Sequence, residues 1–256
     1  MTVLAETGAC TAEDFRQAQR MIRLPGPNMF GEIIMGPKDR LSVQLDDLRD
    51  YYYLLRWPDH MTRSGAVGPA LTDSDLAALG LPPAAGRCFA CLTVAAMGDA
   101  KVPDLAQMAH QWTLRRAGLL SDERWMAFGM APPSSHIWEG VYIDDKAVVV
   151  VIRSGHVAED EATVESLLAT ADEAYEAAGL VVHSGKRVRK APAATVYGYS
   201  LNGPQRMVRS DPAKLAQVVG VTLLAVARGR CTGKVLQRLA GLWVHHLLCR
   251  RPYLSP

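Results

Sequence analysis

The chain lacks the long apolar run that a membrane-spanning helix requires. Its 256 residues are 49% hydrophobic and 21% charged, but no apolar segment approaches the roughly 20 residues that cross a bilayer. The N-terminus also lacks the basic stretch followed by an apolar stretch that marks a secretory signal. We therefore expect a globular intracellular protein, cytoplasmic or nuclear, that is not secreted and has no membrane partner.

Cysteine is also scarce. The five cysteines are an odd number and include one close pair, Cys88 and Cys91. A zinc site usually needs a second pair or histidines at ligand spacing, and the sequence shows neither. We interpret the cysteines as the thiols of a reduced, intracellular chain.

Acidic side chains are nearly absent from the last third of the chain. Residues 180–256 carry thirteen Lys and Arg against one acid, Asp211, although the net charge of the whole chain is only +2. A basic third beside an acidic body is typical of proteins that bind a phosphate backbone. The run Lys186–Lys190 on its own fits a solvated charge run or a nuclear address equally well. The basic residues expected to contact nucleic acid are Arg228, Arg230, Lys234 and Arg238.

Two adjacent carboxylates, Asp144 and Asp145, lie between two segments rich in β-branched residues. The pattern predicts two strands joined by a tight turn, which Asp tolerates. Two carboxylates at a hairpin tip repel each other unless a cation lies between them, and magnesium suits such hard oxygens. The alternative is an ordinary acidic turn.

A second acidic cluster lies upstream, around Asp47, and is followed by Tyr51, Tyr52 and Tyr53. Two-metal phosphoryl chemistry needs carboxylates from at least two elements, because the ions lie roughly 3.5–4 Å apart. A strand that ends near Asp47 beside the hairpin would supply the missing ligand. The three tyrosines would then offer a flat surface for a sugar or base. The alternative is the start of a solvated helix.

The remaining pattern predicts an α+β fold with a ferredoxin-like antiparallel sheet and flanking helices. We expect a capped helix from Thr11 to before Pro25, a strand over 41–45, an irregular insertion over 57–87 and a strand over 88–95. Further helices are predicted over 102–119, 160–178, 214–227 and 232–249, the last with Leu236, Leu239, Leu242 and Trp243 on one face.

Five motifs in this order resemble the reverse transcriptase family, in particular the polymerases of retrotransposons. The resemblance covers roughly residues 40–252, and the motifs are Asp47–Tyr53, Met97–Gln107, Tyr142–Asp145, Gly179–Lys186 and Val196–Leu201. It implies a polymerase palm with partial fingers and a helical thumb. The implied segments are partial fingers (1–40), the first palm strand and motif (41–60), a fingers-like insertion (61–95), the palm core (96–203) and a thumb or connection (204–256).

The resemblance also implies an activity, that of an RNA-directed DNA polymerase. Asp47, Asp144, Asp145 and the backbone of Leu48 would hold two Mg²⁺ ions, or Mn²⁺, and Lys186 would approach the triphosphate. The family's substrate contacts would fall on Tyr52, which would exclude ribose, and on Gly98, Gln107 and Tyr142. The hairpin around Val196–Leu201 would grip the primer end. The partners implied are an RNA or DNA template with primer, deoxynucleoside triphosphates and further polyprotein domains.

Two alternatives stay open at this point. The chain could be a non-catalytic, nucleic-acid-binding remnant of a retroelement polymerase, since only 46 residues precede Asp47 and no fingers segment that contacts the triphosphate is recognisable. It could also be another magnesium-dependent phosphotransferase or phosphohydrolase.

Overall fold

The computed structural model describes residues 23–57, 62, 65–98 and 102–247. The described helices are α1 (Tyr51–Leu54), α2 (Asp73–Ala78), α3 (Val102–Arg116), α4 (Val157–Ala177), α5 (Pro212–Ala227) and α6 (Gly233–Leu247). The described strands are β1 (Arg40–Asp47), β2 (Ala66–Leu71), β3 (Cys88–Cys91), β4 (Ile137–Tyr142), β5 (Asp145–Ile152), β6 (Val188–Ala191), β7 (Ala193–Val196), β8 (Tyr199–Asn202) and β9 (Met207–Ser210). No helix in this part of the chain is both long and apolar enough to cross a bilayer. The predicted helix that begins at Thr11 lies outside the described residues.

The central sheet has the strand order β4-β5-β1-β6, and neighbouring strands are antiparallel. With α3 between β1 and β4, and α4 between β5 and β6, the element order is βαββαβ, which is the ferredoxin-like arrangement. The predicted α+β fold class is confirmed. The apolar run Ala147–Ile152 forms most of β5 and is buried throughout. A strand covered on both faces needs such an uninterrupted run.

A separate apolar core covers each face of this sheet. On one face, Val148 and Val150 pack with Leu114 of α3 and Leu167 of α4. On the other face, Ala147 and Val149 pack with Phe30 of a 3₁₀ helix and with Leu201 of β8. The second face is therefore covered by the segment Pro27–Glu32 and by the small sheet β7-β8-β9. Alternate residues of β5 stabilise opposite sides of the domain.

The insertion between β1 and α3 is more regular than the sequence indicated. The range expected to be irregular, 57–87, contains β2 and α2, and β2 pairs with β3 in a two-stranded sheet. Pro69 within β2 argued against a strand, but a two-stranded sheet leaves each strand one free edge where proline is tolerated. Thr72 and Asp75 form a capping box at the start of α2, a signal that the sequence did carry.

Helices α5 and α6 form an antiparallel pair that follows the small sheet. Asp211 caps α5 by accepting from the backbone N–H groups of Ala213 and Lys214. Trp243 Nε1 of α6 donates to Thr222 Oγ1 of α5 at 2.9 Å, and Leu239 is buried. The predicted four-residue apolar face is only partly correct. Leu236 is 60% exposed and Leu242 is 47% exposed, because α5 covers only one side of α6.

Asp160 in the first turn of α4 ties three elements together. Its carboxylate is almost fully buried and accepts from Arg153 N at 2.8 Å, Arg153 Nη2 at 2.5 Å and His136 Nε2 at 3.0 Å. Burial alone would raise the pKa of Asp160, but the hydrogen bonds from Arg153 outweigh it, and the pKa lies below its usual value. The ionised carboxylate therefore stabilises the folded chain.

We expect Asp160→Asn to lower the free energy of unfolding by about 2 kcal/mol at neutral pH, because an amide offers one acceptor oxygen where the two carboxylate oxygens accept from four donor atoms of Arg153 and His136. Since the folded pKa is depressed, this stability is present above the unfolded pKa of about 3.9 and is lost as the pH falls through the lower folded pKa. Urea unfolding from pH 3 to pH 7 measures it. Glu159→Gln, at an exposed site in the same turn, is the matched control and should change stability by less than about 0.5 kcal/mol. A wild-type-to-variant difference that does not change with pH would contradict the assignment.

Candidate active site

Three carboxylates lie together at one end of the central sheet, where β1 ends and β5 begins. Asp47 ends β1 and Asp145 begins β5, and the two residues are directly opposite each other in the antiparallel pairing. Asp144 lies in the turn between β4 and β5, and its carbonyl accepts from Leu48 N at 3.0 Å. As the sequence predicted, the strand that ends at Asp47 lies beside the hairpin.

Burial and mutual repulsion both disfavour ionisation of Asp144 and Asp145 at this end of the sheet, and the charge of Lys186 offsets only part of the effect. Burial raises the pKa of Asp145 to about 6, and Asp144 and Asp47 raise it in turn, while Lys186 opposes them. Burial also raises the pKa of Asp144, and Asp47 adds to the effect. The charges of Asp47 and Asp144 therefore make Asp145 harder to ionise, and the charge of Asp47 does the same to Asp144, as expected for groups that gain from a bound cation.

Lys186 provides positive charge at this end of the sheet. Its Nζ donates to Asp47 Oδ2 at 2.8 Å, and this hydrogen bond and the charge of Asp47 raise the pKa of Lys186. The lysine lies in a 3₁₀ turn, Ser184–Lys186, which is held in place because His183 N donates to Asp47 O at 2.8 Å. More than half of the Lys186 side chain is exposed, so the ammonium can leave Asp47 without disturbing the core.

The donor chemistry suits magnesium, but the described residues do not form a preformed cage. Within the described ranges, no group of three or more His, Cys, Asp or Glu side chains is arranged so that it could enclose a metal ion. Carboxylate oxygens with raised pKa values are nevertheless the hard, charge-rich donors that Mg²⁺ takes. A bound ion would require Asp47 to exchange its hydrogen bond with Lys186 for a metal bond.

The turn that carries Asp144 has an unusual backbone. Ile143 has φ +56°, in the left-handed region that β-branched residues rarely adopt. Gln107 holds this turn from below: its Oε1 accepts from Ile143 N at 2.5 Å, and its Nε2 donates to Val141 O at 2.8 Å. The sequence interpretation of Gln107 as a substrate-binding residue is therefore corrected. The side chain is 1% exposed and positions the hairpin.

The three tyrosines after Asp47 do not form one flat surface. Tyr51 is in the core, where its hydroxyl donates to Ala106 O at 2.8 Å. Tyr52 is half-buried, and burial, the charge of Asp144 and Tyr142 raise its pKa. Tyr53 is 54% exposed. A single helical turn, α1, points consecutive residues in different directions. Asp144 raises the pKa of both Tyr51 and Tyr52, and of these two only Tyr52 lies outside the core.

Gly98 lies at the end of the insertion, just before residues that the structure does not describe. Its φ of +102° requires glycine, and an added Cβ would meet no atom within 4 Å. The backbone there is open to close approach from outside. A contact between Gly98 and a substrate stays a prediction.

An aromatic groove runs from the hairpin tip to α6. It has a volume of about 630 Å³, and its lining includes Tyr142, Asp145, Tyr197, Phe128 and His245. The rings of Tyr142 and Tyr197 lie 5.6 Å apart. Strands β7 and β8 form the predicted hairpin, and their connecting turn forms one wall of the groove. The groove therefore joins an acidic end to an apolar, aromatic floor.

The basic third of the chain divides into two different regions. The run Lys186–Lys190 contacts acids of the domain: Lys186 with Asp47, Arg187 with Asp46 and Asp172, Arg189 with Asp46, and Lys190 with Glu165. Part of it forms β6, which pairs with β1. That pairing could not be inferred from charge alone.

The other basic region, the basic turn, comprises the connection between α5 and α6 and the first part of α6, since Lys234 and Arg238 lie within that helix. Arg228, Arg230, Lys234 and Arg238 are all exposed, and none has an ion-pair partner within the part of the chain that the structure describes. Helix α5 has 16 residues and is about 24 Å long at 1.5 Å per residue. The basic turn is therefore one helix length from β9, which connects the helical pair α5–α6 to the rest of the domain.

Several buried polar residues near the site escaped the sequence analysis. His110 contacts Ile143 and Tyr175, Asp46 accepts from Arg189 at 2.6 Å, and Lys146 is 1% exposed. For Asp46 and Lys146, the sequence signal was the alternation of side-chain direction along β1 and β5. If Asp47 and Asp145 face the open side, Asp46 and Lys146 must face the helices.

No protein-family model matches the chain, and no curated protein matches its sequence. Among solved structures, the chain is similar to the foamy viral protease-reverse transcriptase in complex with an RNA/DNA hybrid, with 14% identity and a TM-score of 0.46. The likeness covers 87% of this chain, which spans about a quarter of that chain (23%). It is too low to assign an activity.

We expect Asp145→Asn to stabilise the metal-free chain at pH 8 by about 1 kcal/mol, after allowance for its partial exposure. The folded pKa of about 6 lies above the unfolded value, so the charged form penalises folding above pH 6, and the penalty vanishes below about pH 4. Thermal unfolding between pH 4 and pH 8 measures this. Added Mg²⁺ should raise the Tm of the wild type more than that of the variant. An equal response of both proteins to Mg²⁺ would remove Asp145 from the metal site.

Proposed function

We propose that the chain is a reverse-transcriptase-like polymerase domain of a retroelement that extends a nucleic-acid primer with deoxynucleotides. One observation carries the proposal: Asp47, Asp144 and Asp145 lie together at one end of a ferredoxin-like sheet. The Lys186 ammonium lies at the same end. The motif order in the sequence supports it. The division into fingers, palm and thumb segments stays a prediction.

The carboxylates would hold the metal ions, with Asp47 and Asp144 as the main ligands and Asp145 assisting. Bound Mg²⁺, or Mn²⁺, would lower the pKa of the primer 3′-hydroxyl and neutralise charge on the leaving pyrophosphate. The exposed side chain of Lys186 is long enough to turn from Asp47 to a phosphate of the incoming nucleotide. There the ammonium, charged at neutral pH as a lysine ordinarily is, would be able to donate a proton.

Tyr52 and the aromatic groove would orient the two reacting ends. Tyr52, next to Asp144, would pack under the sugar of the incoming nucleotide and exclude a 2′-hydroxyl. The groove lined by Tyr142 and Tyr197 has flat apolar walls and ends at Asp145, so a primer-terminal nucleotide could stack there with its 3′-hydroxyl toward the carboxylates.

The sharpest test is primer extension on a primed RNA template with deoxynucleotides and Mg²⁺. We expect the wild type to extend the primer and Asp144→Asn to lose extension by about 100-fold or more, because a neutral amide replaces a charged ligand of the metal ions that would hold the reacting ends in line. The affinity of Asp144→Asn for the primed template should be unchanged or slightly higher, since the substitution removes a repulsive charge. Asp50→Asn is the matched control: Asp50 is exposed, three residues from Asp47, and its left-handed backbone suits Asn.

The other outcomes separate the remaining hypotheses. A wild type that binds the primed template with steep salt dependence but never extends it would be a non-catalytic remnant. Turnover of small phosphate esters with Mg²⁺ and no primer would indicate another phosphotransferase. Extension that survives Asp144→Asn would overturn the metal assignment.

A second prediction concerns the basic turn. Neutralising its four residues together should weaken binding to all sequences alike, because phosphates carry no sequence information. It should flatten the slope of log K against log salt by at most about 4, one unit for each lost contact. A matched control replaces four exposed basic residues elsewhere: Lys38, Arg40, Arg87 and Arg116. Equal effects of the two sets, or sequence-selective weakening, would contradict a backbone-binding role for the basic turn.

A further inference from the structure

We propose that Gln107 and His110 are positioning residues that hold Ile143 in its left-handed conformation and thereby aim Asp144 at Asp47. The two side chains form a clamp beneath the hairpin turn. The catalytic consequence rests on the proposed function, whereas the clamp itself rests on the geometry of the turn.

The clamp provides hydrogen-bond partners for both the backbone N–H and the backbone C=O of Ile143. Ile143 N donates to Gln107 Oε1 at 2.5 Å, and Ile143 O lies 2.8 Å from His110 Nδ1. Gln107 and His110 are three residues apart on α3, so they lie on the same side of the helix, one above the other. Two side chains from one rigid helix therefore fix the orientation of the Ile143 backbone.

His110 is in turn oriented from α4. Its Nε2 lies 2.7 Å from the hydroxyl of Tyr175. A carbonyl oxygen only accepts, so Nδ1 must carry the hydrogen donated to Ile143 O, and Nε2 then accepts from Tyr175. The ring is completely buried, which lowers the pKa of His110 to about 4 and keeps it neutral. The hydrogen bonds thus run from α4 through α3 to the turn.

The turn needs such support because its sequence does not favour its shape. Only the first of its two central residues, Ile143, has a positive φ, and hairpin turns normally place glycine, asparagine or aspartate at such a position. Without the clamp, Ile143 would return to a negative φ. The peptide that leads into Asp144 would then rotate, together with the carbonyl that accepts from Leu48 N. The separation of Asp144 from Asp47 would change with it.

The first test is independent of activity. In Gln107→Leu, hydrogen exchange of the Ile143 amide, followed by NMR, should be at least tenfold faster than in the wild type. Gln111→Leu is the matched control, because Gln111 is a buried glutamine of the same helix whose Nε2 donates to Arg23 O, away from the turn. It should leave the exchange of the Ile143 amide unchanged. Equal protection in Gln107→Leu and the wild type would overturn the clamp, whether or not the chain extends primers.

The second test uses extension kinetics. Gln107→Leu should lower kcat about tenfold and change KM for the nucleotide less than twofold, because the carboxylates are misaligned while the nucleotide pocket is intact. Ile143→Gly in the Gln107→Leu background should restore kcat to within about threefold of the wild type, since glycine adopts positive φ without help. If Gln107→Leu lowered kcat only by destabilising the fold, Ile143→Gly would not restore kcat, because glycine makes the unfolded chain more flexible and lowers stability further.

A third variant covers the case in which Gln107→Leu does not fold. Gln107→Glu keeps the oxygen that accepts from Ile143 N, and its carboxyl, protonated at this buried position, still donates to Val141 O. It should therefore retain protection of the Ile143 amide, whereas His110→Phe, which removes the partner of Ile143 O, should lower kcat. An active wild type whose kcat is unchanged by both Gln107→Leu and His110→Phe would refute the positioning role. A wild type without extension would refute the proposed function and leave the exchange result to decide the clamp.

Discussion

The register between β1 and β5 is the constraint on which the candidate site depends. Side chains alternate between faces along a strand, so a slip of one residue would exchange the two faces of β1. In the observed register Asp47 lies opposite Asp145, and both face away from the helices. Asp46 lies opposite Lys146, and both face the helices. The two apolar cores hold this register, because Val43 packs with the face that carries Val149. Packing far from the carboxylates thus decides which carboxylates meet.

Buried charge on the helix side reinforces this register. Asp46 is 3% exposed and bonds to Arg189, and Glu139 is fully buried and bonds to Arg124 at 2.7 Å. Removing one partner of a buried ion pair typically costs about 3–5 kcal/mol. A misregistered β1 would leave Asp46 or Arg189 without its partner, so the polar layer excludes alternative pairings even where it adds little net stability.

Local signals in the sequence were sufficient for much of the fold. The apolar run of β5, the hairpin around Asp144 and the helices α3 to α6 follow from periodicity and turn chemistry, and the approach of Asp47 follows from the chemistry of paired carboxylates. Long-range pairing decided the rest. The end of the run Lys186–Lys190 becomes part of β6 only because β1 offers a free edge and Asp46 offers a counter-charge. Gln107 becomes a support because α3 lies beneath the turn, which no local pattern in its helix indicates.

The helical pair α5–α6 is mechanically a lever. It joins the body where β9 enters α5 and where the Tyr199 hydroxyl donates to His245 O, and it carries its charge at the opposite end. With an arm of about 24 Å, a rotation of about 10° at the base would move the basic turn by about 4 Å. Small repacking around Tyr199, at the wall of the aromatic groove, would therefore be amplified into a displacement of several ångströms at the basic turn.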